Sequence, residues 1–437
     1  MSDTFVLIPL FEHHDHNNGH DASKHLPNGC LPIKFKERNK EPYCIDCKEA
    51  DSKRKLHSAY FVGTDWLIEK EVAVYVEPKL NKDEVQIDIL KMLLDSISNP
   101  DTGNYVHEIF EVKPDKPFIT LPHHQDFITP LLMLHFLNVV KTIVRKGLKK
   151  SYYTVTENLY SKIKGKVLVS ETIKKNLVKN KKLYTQCQYS EFGVNGTENR
   201  VLKKVLGFVQ RYLDNYKVDT NSKGPFQTFL LNAYNYISPA FQNVSDKVEL
   251  NDVRHHKFNP FFKEYKEGIE LAQLILKRYG YNLNNIKKEE EVKVPPFWID
   301  MTKLFELFVL AQLKMKYGNE VLYQFKAKYG WVDYLILRDN MKMVVDAKYK
   351  PQWVDSYESD DIRQVSGYAR DVNVADKLGI KVEDRSKVVP NCLIIYSDQK
   401  KGHLDFSIVG DNEFEEIEEF VGFYKIGVKL PEVKTGL

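Results

Sequence analysis

The hydrophobic pattern changes along the chain and predicts strands near the start and helices later. Residues 59–68 and 72–80 are rich in aromatic and β-branched side chains, which is typical of β-strands. Residues 83–97 then repeat apolar side chains with helical spacing. Together they predict a small N-terminal α+β domain over 58–124. Residues 1–57 are polar and irregular, and they predict a leader segment outside this domain.

The middle of the chain, residues 125–290, is dominated by helical periodicity. Its main amphipathic segments are at 130–144, 197–213 and 263–280. One strand is predicted near 164–170, where the sequence reads KGKVLVS. A charged and prolyl run over 287–296 is typical of a linker. The pattern therefore predicts a mainly helical middle domain that is followed by a separate C-terminal domain over 291–437.

Beyond the linker, the predicted elements follow the order helix, β-hairpin, helix and strand. They are a long helix at 297–318, a hairpin at 332–350, a helix at 359–373 and a buried strand at 392–397. Such an alternation is typical of a mixed sheet flanked by helices. The whole chain is thus predicted to be an α+β multidomain protein, with an N-terminal β-containing domain, a helical middle and a C-terminal αβ domain.

Composition excludes several classes of protein. A chain of 437 residues with 43% hydrophobic residues favours two or three globular domains. No run approaches the ~18 apolar residues of a membrane span, and the N-terminus lacks the basic start and cleavage site of a signal peptide. Five cysteines do not make a disulfide framework in a chain of this length, so we expect a cytoplasmic protein.

The net charge of +4 is small, but its distribution is uneven. Between Lys141 and Lys182 the sequence has thirteen Lys or Arg residues and two acids. Clustered positive charge can bind the phosphates of DNA, although it can also be an ordinary solvated surface. The acidic hairpin at 332–350, with its Asp-x-Lys pair, favours DNA. The predicted DNA-binding residues are Lys149, Lys150, Lys162, Lys164, Lys166, Lys174 and Lys175.

A β-hairpin near the C-terminus carries the chemistry most informative about function. Asp333 lies in its first strand, while Asp346 and Lys348 lie two apart in the second and therefore share one face. The short turn allows Asp333 to lie near Asp346. A divalent cation held by carboxylates can neutralise a phosphodiester and generate hydroxide beside it. Two acids and a backbone carbonyl suffice for Mg²⁺, and a lysine can stabilise developing negative charge.

An Asp-x-Lys pair by itself is also common as a salt bridge on an exposed strand, so the neighbouring elements matter. Glu306 lies on the preceding predicted helix, where it could complete the metal shell, although alone it is typical of a solvated helix residue. Gln364 and Tyr368 lie four apart on the following helix and share a face. They could contact DNA or orient Lys348, although alone the pair is typical of core or surface. All these groups occur in the order that a nuclease needs.

The same residues resemble the PD-(D/E)XK nucleases, in the branch with a Q-x-x-x-Y motif that RecB-like enzymes share. The longer phrases FWIDMTKLFELFV, VDYLIL and VVDAKYK are similar to McrC, the nuclease subunit of McrBC and LlaJI-type restriction systems. Upstream, VYVEPKL and IKGKVLVSETI are similar to the N-terminal and middle regions of that family. The resemblance covers roughly residues 60 to 400. A valine, Val332, replaces the usual proline before the first acid, and the Cys/His-rich N-terminal segment is an addition to the pattern.

The resemblance implies a role for each matching residue. Asp333, Asp346 and Glu306 would hold Mg²⁺ or Mn²⁺, Lys348 would be the catalytic lysine, and Gln364 and Tyr368 would lie behind it. It also implies a defence function in which an McrB-like AAA+ GTPase ring recognises and translocates double-stranded DNA. The McrC-type subunit would dock on the ring through residues 58–124, stimulate GTP hydrolysis and cut the DNA. This chain has no G-x-x-x-x-G-K-[ST] loop, which agrees with a separate GTPase.

Two alternatives stay open at the level of sequence. A stand-alone RecB-like repair nuclease would cut DNA in Mg²⁺ or Mn²⁺ without a nucleotide-hydrolysing partner. A non-catalytic adaptor would bind DNA or the ring, and alanine at Asp346 would then leave cleavage by the reconstituted complex unchanged. The intact acids and lysine favour an enzyme over the adaptor.

The N-terminal cysteines form a second candidate metal site. Cys44 and Cys47 make a C-x-x-C pair, with Cys30 upstream and His57 downstream. Three thiolates and an imidazole would satisfy tetrahedral Zn²⁺. The spacing is not that of a standard zinc finger, so the alternative is a set of free cysteines in the leader.

Overall fold

The chain divides into two compact units, one formed by residues 1–124 together with 291–437 and the other by residues 125–290. The computed structural model describes residues 5–13, 19–26, 31–37, 43–50, 53–82, 86–96, 102, 105–113, 116–122, 128–219, 225–248, 262–284, 291–338, 341–354 and 356–433. None of the helices in these ranges is both long and apolar enough to cross a bilayer. The sequence predicted separate domains over 58–124 and 291–437, whereas both segments fall in one compact unit.

The elements are named in chain order. The first segment contains strands β1 (Val6–Phe11), β2 (His20–Asp21), β3 (Ile33–Lys34), β4 (Tyr43–Ala50), β5 (Lys53–Ser58), β6 (Phe61–Ile68) and β7 (Val72–Glu77), helices α1 (Ile89–Ser96) and α2 (Val106–Ile109), and strands β8 (Phe110–Val112) and β9 (Ile119–Pro122). The middle contains α3 (Ile128–Lys146), β10 (Ser151–Tyr160), β11 (Lys166–Val167), α4 (Val169–Lys175), β12 (Tyr184–Gly193), α5 (Thr197–Asp219), α6 (Pro225–Ile237) and α7 (Lys263–Asn284). The last segment contains β13 (Glu291–Val294), β14 (Phe297–Asp300), α8 (Met301–Tyr317), β15 (Val321–Ala327), β16 (Gly330–Arg338), β17 (Met341–Lys348), α9 (Ser359–Ala369), α10 (Val372–Lys377), β18 (Asn391–Ser397), β19 (Glu415–Glu416) and β20 (Phe423–Val428).

A five-stranded sheet with the order β1-β7-β6-β14-β8 joins the two ends of the first unit. Strand β14 pairs antiparallel with both β6 and β8, although it is remote from them in sequence. Its Trp298 is fully buried in a cluster that includes Ile8 and Val74. The prediction of a helix from residue 297 is therefore wrong at its start. The helix begins at Met301, after Asp300 caps it by accepting a hydrogen bond from Lys303 N at 3.0 Å.

Two regions that the sequence predicted to be irregular contain strands. The predicted leader supplies β1 to the five-stranded sheet and all strands of a four-stranded sheet with the order β2-β5-β4-β3. Of the predicted linker, residues 287–290 lie outside the described ranges, whereas Glu291–Val294 forms β13 and pairs with β9. Strands β1 and β13 pair with partners remote in sequence, β7 and β9 respectively, whereas β4 and β5 are consecutive strands that pair with each other.

The predicted mixed sheet of the C-terminal segment is confirmed, with six strands in the order β15-β16-β17-β18-β20-β19. Strand β16 pairs antiparallel with both β15 and β17, while β17, β18 and β20 are mutually parallel. Helix α8 is buried around most of its circumference, and α9 contributes Ile362 and Val365 to a core cluster with Val344 of β17. The sheet thereby brings the ends of β16 and β17 between two helices.

The middle unit has a helical core, and it also has a three-stranded sheet of which the sequence predicted only one strand. Helices α3, α5, α6 and α7 contribute fully buried residues such as Leu134, Val205, Leu230 and Ile269. A three-stranded antiparallel sheet has the order β10-β12-β11. The predicted strand near residue 164 corresponds to β11, but the two long strands were missed. Strand β10 alternates between exposed and half-buried residues, so it lacks the apolar face that marks a strand in sequence.

Candidate active site

The two aspartates of the hairpin meet where β16 and β17 separate. The last register pair of the two strands at this end is Tyr334 with Val345, and Asp333 and Asp346 lie one residue further on. Beyond the paired region, Ala347 N donates a hydrogen bond to Asp333 Oδ2 at 3.0 Å. The neighbouring strand β15 is irregular at the same level, because Gln324 has a left-handed φ of 50°. The predicted proximity of the two carboxylates is confirmed.

Both aspartates lie in surroundings that oppose ionisation. Burial, followed by the charges of Asp346 and Glu306, raises the pKa of Asp333 well above its usual value. Asp346 is 2% exposed, and burial raises its pKa although the Lys348 ammonium opposes the shift. Two carboxylates held this close therefore favour a shared proton or a bound cation.

Lys348 lies between the carboxylates of the strand and the polar face of α9. Its Nζ is 2.7 Å from Asp346 Oδ2 and donates to Gln364 Oε1 at 3.0 Å. Gln364 Nε2 in turn donates to the hydroxyl of Tyr368 at 3.2 Å. Burial lowers the pKa of Lys348, but Asp346 and Asp361 outweigh it and the pKa is raised. The ammonium is therefore charged at neutral pH. Gln364 orients it directly, and Tyr368 acts through Gln364.

Glu306 approaches the same cleft from the other helix. The hydroxyl of Tyr334 donates to the backbone carbonyl of Glu306 at 2.6 Å, which places this part of α8 against the strand. The Glu306 carboxylate pairs with Lys303 Nζ at 2.7 Å and accepts from the Tyr323 hydroxyl at 3.2 Å. The structure thus brings Glu306 to the cleft, with its Oε2 engaged by two neighbours.

These groups line one cleft of about 270 Å³. Its lining residues are Tyr60, Thr302, Glu306, Asp333, Asp346, Ala347, Lys348, Tyr349, Lys350 and Gln364. Five of the six predicted catalytic residues are among them, and Tyr368 lies behind Gln364. The cleft also takes Tyr60 from the N-terminal segment, which the sequence had assigned to a separate domain.

The donor set fits a divalent cation held by two acids rather than by three. Within the described residues, no group of three or more His, Cys, Asp or Glu side chains is arranged to hold a metal ion. Asp346 Oδ2 is buried, and the Lys348 ammonium lies 2.7 Å from it. That oxygen keeps acceptor capacity, and Asp333 lies beside it. Two carboxylates with a backbone carbonyl form an oxygen set of the kind that Mg²⁺ accepts.

Comparison with known protein families assigns this chain to one of them. The profile of the McrBC 5-methylcytosine restriction system component matches residues 61–378. This chain belongs to that family. The match begins at the residue after Tyr60 and includes all the other residues that line the cleft.

Two solved structures align with this McrBC-family chain at low sequence identity and low TM-score. One is a half-complex from a tetradecameric assembly of Thermococcus gammatolerans McrB AAA+ hexamers with bound McrC, which covers 99% of this chain and 96% of the other at 14% identity and a TM-score of 0.39. The other, a cryo-EM structure of the McrBC complex of the same organism, covers 70% and 87% at 14% identity and a TM-score of 0.27. No curated protein matches the sequence significantly. The family assignment rests on the profile match.

Sequence reasoning missed a buried acid behind the hairpin, Asp361, which contacts two lysines. Asp361 on α9 is buried and lies 3.6 Å from Lys348 Nζ and 3.0 Å from Lys350 Nζ. It also accepts a hydrogen bond from Trp353 Nε1 at 3.1 Å. Asp361 precedes Gln364 by three residues, so the helical face that carries Gln364 and Tyr368 was the signal that could have found it. Asp361 helps to hold both lysines at the cleft.

The N-terminal segment also supports the end of β17. Lys79 Nζ donates to the carbonyl of Tyr349 at 2.7 Å and lies 3.8 Å from the centre of its ring. Burial, opposed by the charge of Glu12, lowers the pKa of Lys79 to about 8. No sequence pattern links residue 79 to residue 349, because the contact exists only after the two ends of the chain have joined one unit.

The described part of the N-terminal segment does not form the predicted zinc site. Cys44 is a buried free thiol in the core, whereas Cys47 is disulfide-bonded. Both lie in β4, where residues three apart point to opposite faces of the strand. His57 lies on β5 opposite Asp46, and Cys30 lies outside the described residues. The C-x-x-C spacing suits a metal only in a turn, and here it falls in a strand.

The predicted DNA-binding lysines of the middle unit fall into two groups. Three of them are paired with acids, namely Lys149 with Glu198, Lys164 with Glu191 and Lys175 with Glu171. The others, Lys150, Lys162, Lys166 and Lys174, are exposed. Exposed apolar side chains such as Ile163 and Val178 share this part of the unit. The basic stretch is thus a mixed surface, on which DNA binding stays a prediction.

Proposed function

We propose that this chain is a metal-dependent DNA endonuclease of the PD-(D/E)XK type, which acts as the nuclease subunit of an McrBC-like restriction system. The observation that carries the proposal is the convergence of Asp333, Asp346 and Lys348 at one open cleft. The family assignment and the order of the motifs support it. The partner would be an McrB-like AAA+ GTPase ring, and the substrate would be double-stranded DNA.

The chain's own residues account for much of the chemistry. Asp333 and Asp346 would hold Mg²⁺ or Mn²⁺, which when bound supplies a Lewis acid and a water of lowered pKa. Lys348 keeps its proton and presents positive charge to the pentavalent phosphate, where negative charge develops. Gln364 and Asp361 hold the lysine in place. Glu306 lines the same cleft and would be a proton acceptor there once Lys303 and Tyr323 release its carboxylate.

The proposal is tested with the purified chain and an McrB-like AAA+ GTPase from the same genome. Cleavage of methylated plasmid that requires both proteins, GTP and Mg²⁺ would support it. Cleavage by the chain alone in Mg²⁺ or Mn²⁺ would instead support the stand-alone repair nuclease. Binding of DNA or the ring without any cleavage would support the adaptor.

Replacing Gln364 with alanine is expected to slow cleavage roughly tenfold while the Kd for DNA stays unchanged, because the glutamine acts through the lysine. Single-turnover rates and DNA binding at saturating Mg²⁺ measure the two effects. The matched control is Arg363→Ala, which removes the exposed neighbouring side chain on α9. A loss of DNA affinity in Gln364→Ala with an unchanged rate would contradict the positioning role.

The stability of the chain is expected to depend on pH and on divalent metal together. Burial and neighbouring charge raise the pKa values of Asp333 and Asp346 above the usual 3.8. The folded chain therefore keeps protons that the unfolded chain loses, and the free energy of unfolding falls as pH rises above that value. At pH 8, Mg²⁺ at about 100 times its Kd should raise the free energy of unfolding by about 2.7 kcal/mol. At pH 5 the same concentration of Mg²⁺ should raise it much less. Thermal unfolding of the wild type and Asp346→Asn measures this, and equal stabilisation of both would contradict it.

Docking on the ring through residues 58–124 is part of the proposal. A deletion cannot test it, because β6 and β8 pair with β14. The exposed β6–β7 turn offers a milder change, and Lys70→Glu is expected to lower partner-stimulated GTP hydrolysis without loss of fold. Val178→Asp, on the exposed apolar surface of the middle unit, is the comparison. If only Val178→Asp reduces the stimulation, docking belongs to residues 125–290 instead.

A further inference from the structure

The turn between β15 and β16, taken here as residues 326–331 and so including the paired strand ends, exposes two large aromatic side chains, each with a lysine beside it. Tyr329 is 85% exposed and Trp331 is 57% exposed. Lys328 Nζ lies 5.5 Å from the centre of the Tyr329 ring, and Lys326 Nζ lies 5.8 Å from that of Trp331. Exposed rings flanked by cations are the usual composition of a surface that stacks bases and contacts phosphates.

Contacts from α9 and the residues after it hold this turn in place. Lys328 N donates to Asp371 Oδ2 at 2.9 Å. Gly330 adopts a φ of 152°, and a Cβ at this position would lie 3.1 Å from the hydroxyl of Tyr368. The backbone of the turn thus packs directly against Tyr368, and the two aromatic residues are presented on a fixed support. A fixed platform loses little conformational entropy when a ligand binds.

The turn is also connected to the cleft. Tyr368 accepts a hydrogen bond from Gln364, and Gln364 accepts one from Lys348. Along the strand, Trp331 precedes Asp333 by two residues, a rise of roughly 7 Å in a β-strand. A DNA strand whose phosphate reaches Lys348 would therefore have its neighbouring nucleotides at the turn.

We propose that Tyr329 and Trp331 stack on unpaired bases of the DNA strand next to the scissile phosphate, with Lys326 and Lys328 on the adjacent phosphates. This inference rests on the proposed nuclease function. In a closed duplex the faces of the bases are covered by their neighbours, so stacking requires bases that have been opened or lie at an end. The turn would thus hold an opened strand in the cleft.

Trp331 provides a direct optical test. The sequence has four tryptophans, and Trp66, Trp298 and Trp353 are buried. A single-stranded oligonucleotide of roughly a dozen nucleotides is titrated into the full chain in EDTA. The emission of Trp331 should be quenched saturably. A blunt duplex of the same length should quench less. Binding is measured in parallel by anisotropy of labelled DNA.

Variants separate stacking from folding. Tyr329→Ala and Trp331→Ala should each weaken single-strand binding roughly tenfold, while Trp331→Phe keeps the affinity. Ile408→Ala, at an equally exposed apolar position of the same unit, should have no effect. Lys326→Ala with Lys328→Ala should reduce the slope of log K against log salt by about 1.4.

Unchanged Trp331 emission with clear binding by anisotropy would overturn the inference, as would wild-type affinity in Trp331→Ala. Cleavage of plasmid by the chain and its GTPase in that case would leave the proposed function standing. Conversely, DNA could quench the emission of Trp331, and the variants could bind DNA more weakly, while the wild-type chain cleaves DNA under no condition. That result would support the stacking surface and contradict the proposed nuclease function.

Discussion

Under the proposed function, replacing Asp346 with asparagine is expected to lower the rate of DNA cleavage by roughly 10³-fold or more, while GTP hydrolysis by the proposed AAA+ partner stays at the rate measured with the wild-type chain. Asp346 is buried at the end of β17, with Asp333 beside it and Lys348 2.7 Å away. Asparagine keeps the shape and removes the charge that a divalent cation needs. Cleavage of plasmid and release of phosphate from GTP, measured in one reconstituted complex, separate chemistry from assembly.

The matched control for Asp346→Asn is Asp360→Asn. Asp360 is an acid on α9 whose side chain is 87% exposed and pairs with Arg363 at the surface. The Asp360→Asn variant should cleave DNA at the wild-type rate. Normal cleavage by Asp346→Asn would refute the assigned site and support the adaptor hypothesis. Thermal unfolding of both variants shows whether any loss of cleavage comes from loss of fold.

Removing residues 1–290 is expected to leave a fragment that does not fold cooperatively, although the fragment contains the entire six-stranded sheet. Strand β14 would lose both neighbours in its sheet, and Trp298 would be exposed. Helix α8 would also lose α1, which packs against it in the full chain. The buried residues of α8 lie on all sides, so the fragment would expose a large apolar surface. Circular dichroism during thermal unfolding and binding of a hydrophobic dye measure the effect.

A point substitution in the full chain tests whether its stability depends on the packing of β14 in the five-stranded sheet. Trp298→Ala should lower the free energy of unfolding by about 3–5 kcal/mol, because the side chain is fully buried in the cluster that includes Ile8 and Val74. Trp331→Ala removes an exposed tryptophan and should change the free energy of unfolding by about 0.5 kcal/mol or less. A fragment of residues 291–437 with a sharp unfolding transition would show that the C-terminal segment is an independent domain after all.

Local patterns predicted the hairpin and the direction of its functional side chains. Alternation in β17 places Asp346 and Lys348 on one face, and helical spacing places Gln364 and Tyr368 together; both pairs lie as expected. The family resemblance, which used the same phrases, is confirmed by the profile match. The roles of these residues in catalysis stay predictions.

The sequence by itself determined the elements that carry the cleft, because the 2.0-residue and 3.6-residue periods are properties of the local backbone. Only the tertiary structure decided that residues 58–124 and 291–437 form one unit, that FWID is a strand and that Cys44 is a core residue. Each of these depends on partners more than two hundred residues away or on the opposite face of a sheet. The same long-range pairing brings Tyr60 to the cleft and Lys79 against Tyr349, since local periodicity does not determine which strands will pair.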